Sequence, residues 1–242
     1  PAFNPQYAAG MSGDGRVITS GSNNDGKIRV YHWDPGQQTY ILFWSYTFTG
    51  GTSNWGTATA VSANGETVAG GSLQFIGGGY AGYVAVFNTY GDGTPLWAPV
   101  DMADLVQDVS ISDDGLTVAA CSWGPFSGDT PADIQVWDKY DPVPFYTYAH
   151  PGSPNDVALT PDGTRLFAGG KATHNRQFGN GGYAYLYSLD LEGGTVMGTV
   201  TLQGTGDYSG VTVENASGIR HTLTDASGAY QLRHIPAGTH TI

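Results

Sequence analysis

Asp108 and Asp156 are the side chains in this sequence with the clearest potential for chemistry. They stand in matching settings, Gln107-Asp108-Val109 and Asn155-Asp156-Val157, 48 positions apart. Inward-facing carboxylates at matching positions of two inner strands could line a channel mouth or bind a cation. An Asp in a turn-rich chain also bonds nearby backbone and serves structure alone. That plainer role is the expected one, and a pair lining a channel mouth is the alternative. The other candidates are aromatic: Trp55, and one Phe in each of three long loops. Phe75 falls in 74–82, Phe126 in 124–132 and Phe178 in 174–182, beside Arg176 and Gln177. Loops on a rigid scaffold commonly carry binding residues, and exposed rings there suit a protein or glycan contact.

The remaining reactive types form no recognisable set. His32, His150, His174, His221, His234 and His240 lack metal-ligand spacing, although the last three share the C-terminal region. Cys121 is the sole cysteine, sits in an apolar run and reads as a buried structural thiol. Gly77-Gly78-Gly79 is followed by neither Lys-Ser/Thr nor a helix, so it is no phosphate cradle. No Gly-x-Ser-x-Gly elbow occurs. The turn Ser22-Asn23-Asn24-Asp25-Gly26 suggests weak Ca²⁺ binding, yet it lacks the downstream Glu and ligand spacing of a calcium loop. The expectation is a chain without catalytic residues or cofactor, Ca²⁺ being the one ion the sequence suggests.

Composition narrows the class. Charged residues are 12 % of the 242, against roughly 25 % in ordinary soluble domains. The net charge is −12, carried mainly by Asp in turns, and basic clusters are lacking, which argues against a nucleic-acid partner. Three Glu and three Lys leave little to cover helix faces, and no helical period is evident. No run reaches membrane-spanning length. The chain starts at Pro1, which reads as a processed or truncated start.

The elements that would position the candidates repeat. Ser12-Gly13-Asp14-Gly15 returns as Ser62-Ala63-Asn64-Gly65, Ser112-Asp113-Asp114-Gly115 and Thr160-Pro161-Asp162-Gly163, the last glycines 50, 50 and 48 residues apart. Strands are predicted at 7–12, 16–22, 27–33 and 39–47; at 57–62, 67–73, 82–88 and 94–100; and at 105–112, 116–123, 133–138 and 143–149. A fourth set follows at 155–160, 165–171 and 182–188, with a last strand near Thr195. Four strands per repeat, joined by Gly/Asp/Asn turns, make a blade. Small residues in each second strand (Ala69-Gly70-Gly71, Ala119-Ala120, Ala168-Gly169-Gly170) would let sheets converge, and aromatics such as Phe87, Trp97 and Trp137 would fill the wider gaps.

Turns of this kind followed by Ile28-Arg29-Val30-Tyr31 or Ile134-Gln135-Val136-Trp137-Asp138 resemble WD-repeat and quinoprotein-like β-propellers, over roughly residues 6–192. Leu42-Phe43-Trp44-Ser45-Tyr46 and Pro95-Leu96-Trp97 are similar to the fourth strand of the quinoprotein kind. The Gly doublets also resemble kelch repeats, which the Asp-Gly turn fits less well. A quinone cofactor, which the quinoprotein resemblance raises, would want an adjacent-cysteine pair and more basic residues than this chain has. After Glu192-Gly193-Gly194, the ordered set Thr224-Asp225-Ala226-Ser227-Gly228-Ala229-Tyr230-Gln231-Leu232 and Pro236-Ala237-Gly238-Thr239 is similar to the carboxypeptidase regulatory-like domain, a transthyretin-like β-sandwich. That resemblance implies a non-catalytic spacer or adhesion module on exported proteins. A lone sequon, Asn215-Ala216-Ser217, lies in this region.

The expected architecture is all-β: a β-propeller over 1–192 with four four-stranded repeats (about 6–50, 51–102, 103–152 and 153–192), then a partial transthyretin-like β-sandwich over 193–242. The expected role is a non-enzymatic structural protein, secreted or at the cell surface. Its partners would be identical subunits, in a homo-oligomer or polymer, or further domains of the same polypeptide, with strand complementation as the means. The alternative is a glycan- or protein-binding module of a larger secreted protein.

Overall fold

The computed structural model describes residues 6–125, 133–189, 194–204, 206–214, 221–235, 239 and 241. These residues contain strands, turns and bends, with no helix among them. The chain divides into two compact units, 1–189 and 190–242.

The first unit holds four antiparallel sheets in chain order. Blade 1 is β1 (Gln6–Met11), β2 (Val17–Ser22), β3 (Lys27–Asp34) and β4 (Thr39–Thr47). Blade 2 is β5 (Ser53–Val61), β6 (Thr67–Ile76), β7 (Gly79–Ala81), β8 (Tyr83–Asn88) and β9 (Val100–Asp101), with β7 paired to β6. Blade 3 is β10 (Val106–Ile111), β11 (Thr117–Ser122), β12 (Ile134–Asp138) and β13 (Tyr146–Tyr148). Blade 4 is β14 (Ser153–Leu159), β15 (Arg165–Lys171) and β16 (Gly182–Ser188).

One turn, built four times, opens each blade. In the first, the Ser12 hydroxyl donates to Asp14 Oδ1 (2.7 Å) and accepts from the Val17 N–H (3.0 Å), while Arg16 N–H donates to the same carboxylate (2.9 Å). The hydroxyls of Ser62, Ser112 and Thr160 bond Asn64, Asp114 and Asp162 in the same way (2.6, 2.7 and 2.6 Å). The closing glycines have φ of 70°, 76°, 75° and 70°, a left-handed conformation that Gly adopts without steric cost. The turns are also tied to one another. Gly13 N–H donates to Ala63 C=O (2.9 Å), Asn64 N–H to Asp113 C=O (3.0 Å), and Asp113 N–H to Pro161 C=O (2.9 Å).

The apolar core lies between the blades, as three clusters in three seams. Val17, Ile28, Val30, Trp44 and Phe48 of blade 1 and its connection meet Val68, Ala85 and Phe87 of blade 2. Ala58, Ala69, Val84, Val86 and Trp97 of blade 2 meet Val106, Val109, Val118, Ala120 and Trp137 of blade 3. Ala119, Cys121, Ile134 and Val136 of blade 3 meet Val157, Leu166 and Ala168 of blade 4. Close approach depends on Gly in β6: a Cβ on Gly70 would lie 2.6 Å from Ile28 Cγ1, and one on Gly71 2.3 Å from Val106 Cγ1. Innermost strands pack in sequence, β1 on β5, β5 on β10 and β10 on β14, and no packing of that extent returns β14 to β1 among the described residues. The four blades therefore form an open row with two outer faces.

Several expected elements come out differently. The strand at 94–100 reduces to a bridge at Pro95 and the short β9, because Pro95 and Pro99 remove two ladder donors. The strand at 143–149 shortens to β13, since Pro142 and Pro144 precede it. Residues 74–82 are a hairpin rather than a loop: β6 runs on to Ile76 and pairs with β7, Phe75 facing Tyr80. The fourth repeat has three strands among the described residues instead of four. Thr195, its expected fourth strand, lies in β17 (Gly194–Thr199), where Val196 pairs with the buried Leu232 of β20 (Ala229–Ile235). The second unit also contains β18 (Thr212–Glu214) paired with β19 (His221–Leu223), so its described strands form two small antiparallel ladders.

Candidate functional site

Strand direction sends the four Asp/Asn turns to one end of each blade and the loops after the second strands to the other. At this loop end, four aromatic rings and one arginine form a belt across blades 2 and 3. Trp55 packs edge-on to Phe75 (5.1 Å between centroids), and Phe75 packs on Tyr80 (5.5 Å). The Arg176 guanidinium lies 3.7 Å from the Tyr80 ring centroid and 4.9 Å from that of Trp123. His174 meets Trp123 edge-on at 6.5 Å.

The belt is braced from below. Arg176 Nη1 donates to Asp104 Oδ2, and the buried Asp104 carboxylate also accepts from Leu105 N–H through Oδ1 (2.6 Å). Because Arg176 N–H donates to His174 Nδ1 (3.2 Å), the ring proton sits on Nε2 and points to Gly124 C=O (3.1 Å). Trp123 Nε1–H donates to Gln107 Oε1 (2.9 Å). One arginine on the 172–181 loop of blade 4 thus joins rings from blades 2 and 3 to the connection between those blades. A guanidinium suits this, since it stacks on rings while forking onto a carboxylate.

Asp108 and Asp156 are brought together across the innermost strands of blades 3 and 4. Asp108 Oδ2 accepts the Val157 N–H (3.1 Å) and its carboxyl is hydrogen-bonded to that of Asp156. Burial and the second carboxyl hold Asp108 well above the ordinary carboxylate range. The pair thus bonds backbone and joins innermost strands across a seam. Nearby, burial pushes Asp133 up to about 7, against a partly offsetting bond from the His150 backbone, and its buried Oδ1 has no partner among the described residues. Cys121 is fully buried in the same seam and its thiol is pushed up by burial and by Asp108.

The predicted loop residues divide. Trp55 and Phe75 touch each other and are half-buried, so Phe75 is not the exposed loop ring expected: its hairpin folds it onto Trp55 and Tyr80. Phe178 stands free of the belt, fully exposed at 107 %. Phe126 lies outside the described residues, as do the sequon, His240, and the side chains of His221 and His234. Asp25 of the suggested calcium turn is spent on Arg29 and the Lys27 N–H. Among the described residues no three His, Cys, Asp or Glu side chains stand together as a cation site. Tyr80, Trp123 and Asp104 are not candidates from the sequence, which marks His174 only as one of six histidines without ligand spacing and Arg176 only as a loop neighbour of Phe178. The signal available for them was Arg176 itself, one of nine Lys and Arg in an acidic chain.

Two shallow hollows accompany these features. One, of about 300 Å³, lies over Phe75, Ile76, Gly77–Gly79 and Tyr80 beside the belt. The other, of about 540 Å³, lies at the turn end of blade 1 between Asp14, Arg16, Trp33, Pro35 and Tyr40.

Strands packed blade on blade in this order define a β-propeller type of architecture. Among solved structures the chain is similar to the C-terminal WD40 domain of Sif2, with a TM-score of 0.51 and 13 % identity over 94 % of this chain. The match spans 58 % of that neighbour's length, and at such identity it supports the WD40-like propeller fold alone. No family model matches the sequence, and no curated protein matches it. No helix among the described residues is long and apolar enough to cross a membrane.

Proposed function

We propose that this chain is a non-enzymatic structural module of a secreted or cell-surface protein, with the propeller as a packing and recognition platform that assembles with identical subunits. The C-terminal unit is then the connector, read as a partial transthyretin-like sandwich of the carboxypeptidase regulatory-like kind. The observation that supports this reading is the open row: four blades share three seams, and among the described residues of the first unit no further blade packs on the outer face of blade 1 or of blade 4. Unpaired edges add to it, since β16 pairs only with β15, and the two ladders of the second unit each have two strands among the described residues. The carboxylates with the strongest claim to catalysis, Asp108 and Asp156, are engaged in a seam. Electron microscopy of the native protein, with solution mass measured against concentration, tests the assembly. A monodisperse monomer at high concentration would count against it.

The belt favours a second reading, a glycan- or protein-binding surface at the loop end. Aromatic faces stack on sugars and fill protein pockets. Trp55, Tyr80 and the fully exposed Phe178 lie on that end. Binding on a glycan array that is lost in both Trp55→Ala and Phe178→Ala supports this reading, and an unchanged profile removes it.

A further inference from the structure

Register across each blade shows which faces meet. On the side turned to the preceding blade, Val68 pairs with Phe87 in blade 2, Val118 with Trp137 in blade 3 and Leu166 with Tyr187 in blade 4. Each aliphatic–aromatic pair packs into the seam behind it. Blade 1 carries the same pair, Ile18 with Tyr31, but no blade stands behind it. There the row continues through Met11 and Leu42, 64 % and 50 % exposed. On the side turned to the following blade, Ala69–Val86 and Ala119–Val136 are buried in seams. Blade 4 places Phe167 and Leu186 there, 45 % and 68 % exposed.

We propose that these two faces are the halves of a fourth seam formed between molecules: blade 4 of one copy packs on blade 1 of a second, head to tail, and two copies close an eight-bladed ring. The proposal rests on the reading of the propeller as an assembling platform and adds its faces and stoichiometry. Continuity with the three internal seams supports a second copy as the occupant, because the end faces carry the same kind of row at the same register. Bulk is redistributed within the row. Phe167 stands where blade 3 has Ala119, while Gly169 replaces Cys121 and the Phe167 ring lies along it, a Cβ there meeting the ring at 3.7 Å. The hollow between Trp33 and Tyr40 lies on the same blade. Trp33 is the counterpart of Thr89 and Lys139, whose carbonyls take the indole N–H of Trp44 and Trp97 from the preceding blade (2.8 and 3.0 Å). Eight blades fall at the upper end of the roughly 4–8 usual for propellers, and a head-to-tail contact closes into a ring when its rotation fits.

Native mass spectrometry and light scattering of the full chain provide the test. The expected result is a particle of twice the chain mass that Leu42→Glu and Leu186→Glu each convert to monomer, with unchanged far-ultraviolet circular dichroism. A second measurement uses a short bismaleimide on a Leu42→Cys/Leu186→Cys chain. It should yield covalent dimer, whereas each single Cys variant should not, the native Cys121 being buried. A dimer or polymer indifferent to Leu186→Glu, or a Leu42→Cys chain that cross-links to itself, overturns the head-to-tail seam and leaves the platform reading standing. A filament lost in both Glu variants overturns the two-copy closure. A monomer at every concentration overturns this inference and the assembly reading together.

Discussion

Asp133 and Asp108 set the pH response of the seams. Both carboxyls are raised by burial, Asp133 to about 7, against an unfolded value near 3.8. Between roughly pH 4 and 7 the folded chain therefore holds more protons than the unfolded one, and stability falls as pH rises through that window. The turn carboxylates work oppositely. Hydrogen bonds from Thr160 and Thr164 lower Asp162 to about 2, and the Arg16 N–H with the Ser12 hydroxyl lowers Asp14, so their contribution is present above about pH 4 and is lost on acidification. The urea midpoint should accordingly be higher at pH 5 than at pH 8, and Asp133→Asn should flatten that difference. Equal midpoints in the native chain at the two pH values would contradict the assignment. The turn residues were legible because hydroxyl, carboxylate and glycine lie within four consecutive positions. Arg176 was not, because Tyr80, Trp123 and Asp104 reach it from distant parts of the sequence, and no local pattern records such a meeting.

Strands of this chain are specified by what the neighbouring blade leaves room for. Gly71 of β6 and Gly169 of β15 look alike in sequence, each part of a doublet after Ala, yet only the first faces a packed seam. Gly71→Ala would drive a methyl to 2.3 Å from Val106 Cγ1 and should cost about 1–3 kcal/mol or more in chemical denaturation. In the monomeric Leu42→Glu background, Gly169→Ala meets nothing closer than the Phe167 ring at 3.7 Å and should be neutral, or stabilising by roughly 0.5 kcal/mol. Equal costs would show that the end blade is as tightly enclosed as the second. Alternation and small-residue runs made the first three strands of every blade readable from sequence. The fourth strands depart from the sequence expectation where proline interrupts, at Pro95 and Pro144, and the strand at Thr195 joins β20 instead of blade 4, because period-two alternation says a strand exists without saying which edge it joins.

At the scale of the first unit, seams add up as nearest-neighbour terms, as in other repeat proteins. Among the described residues, blades 2 and 3 have another blade on both faces, while blades 1 and 4 have one on a single face. Hydrogen exchange of the monomeric Leu42→Glu variant should therefore be slowest in β6 and β11 and faster in β16, with no blade exchanging as an independent domain. Uniform protection from β2 to β16 would mean that the row opens as a single cooperative body. The sequence carried the number of repeats and their all-β character. The openness of the row depends on whether β14 reaches β1, a relation between the two ends that alternation within each repeat does not record.

The ladder that ties turn to turn has a different kind of consequence. Its rungs end on the carbonyls of Ala63, Asp113 and Pro161, three unlike side chains giving the same main-chain oxygen. At these three positions the rungs thus read backbone and not side chain. Charge, bulk and labels are free to be rewritten there, blade by blade, while the architecture underneath stays put. An engineer wanting a display surface on this scaffold would begin with those positions.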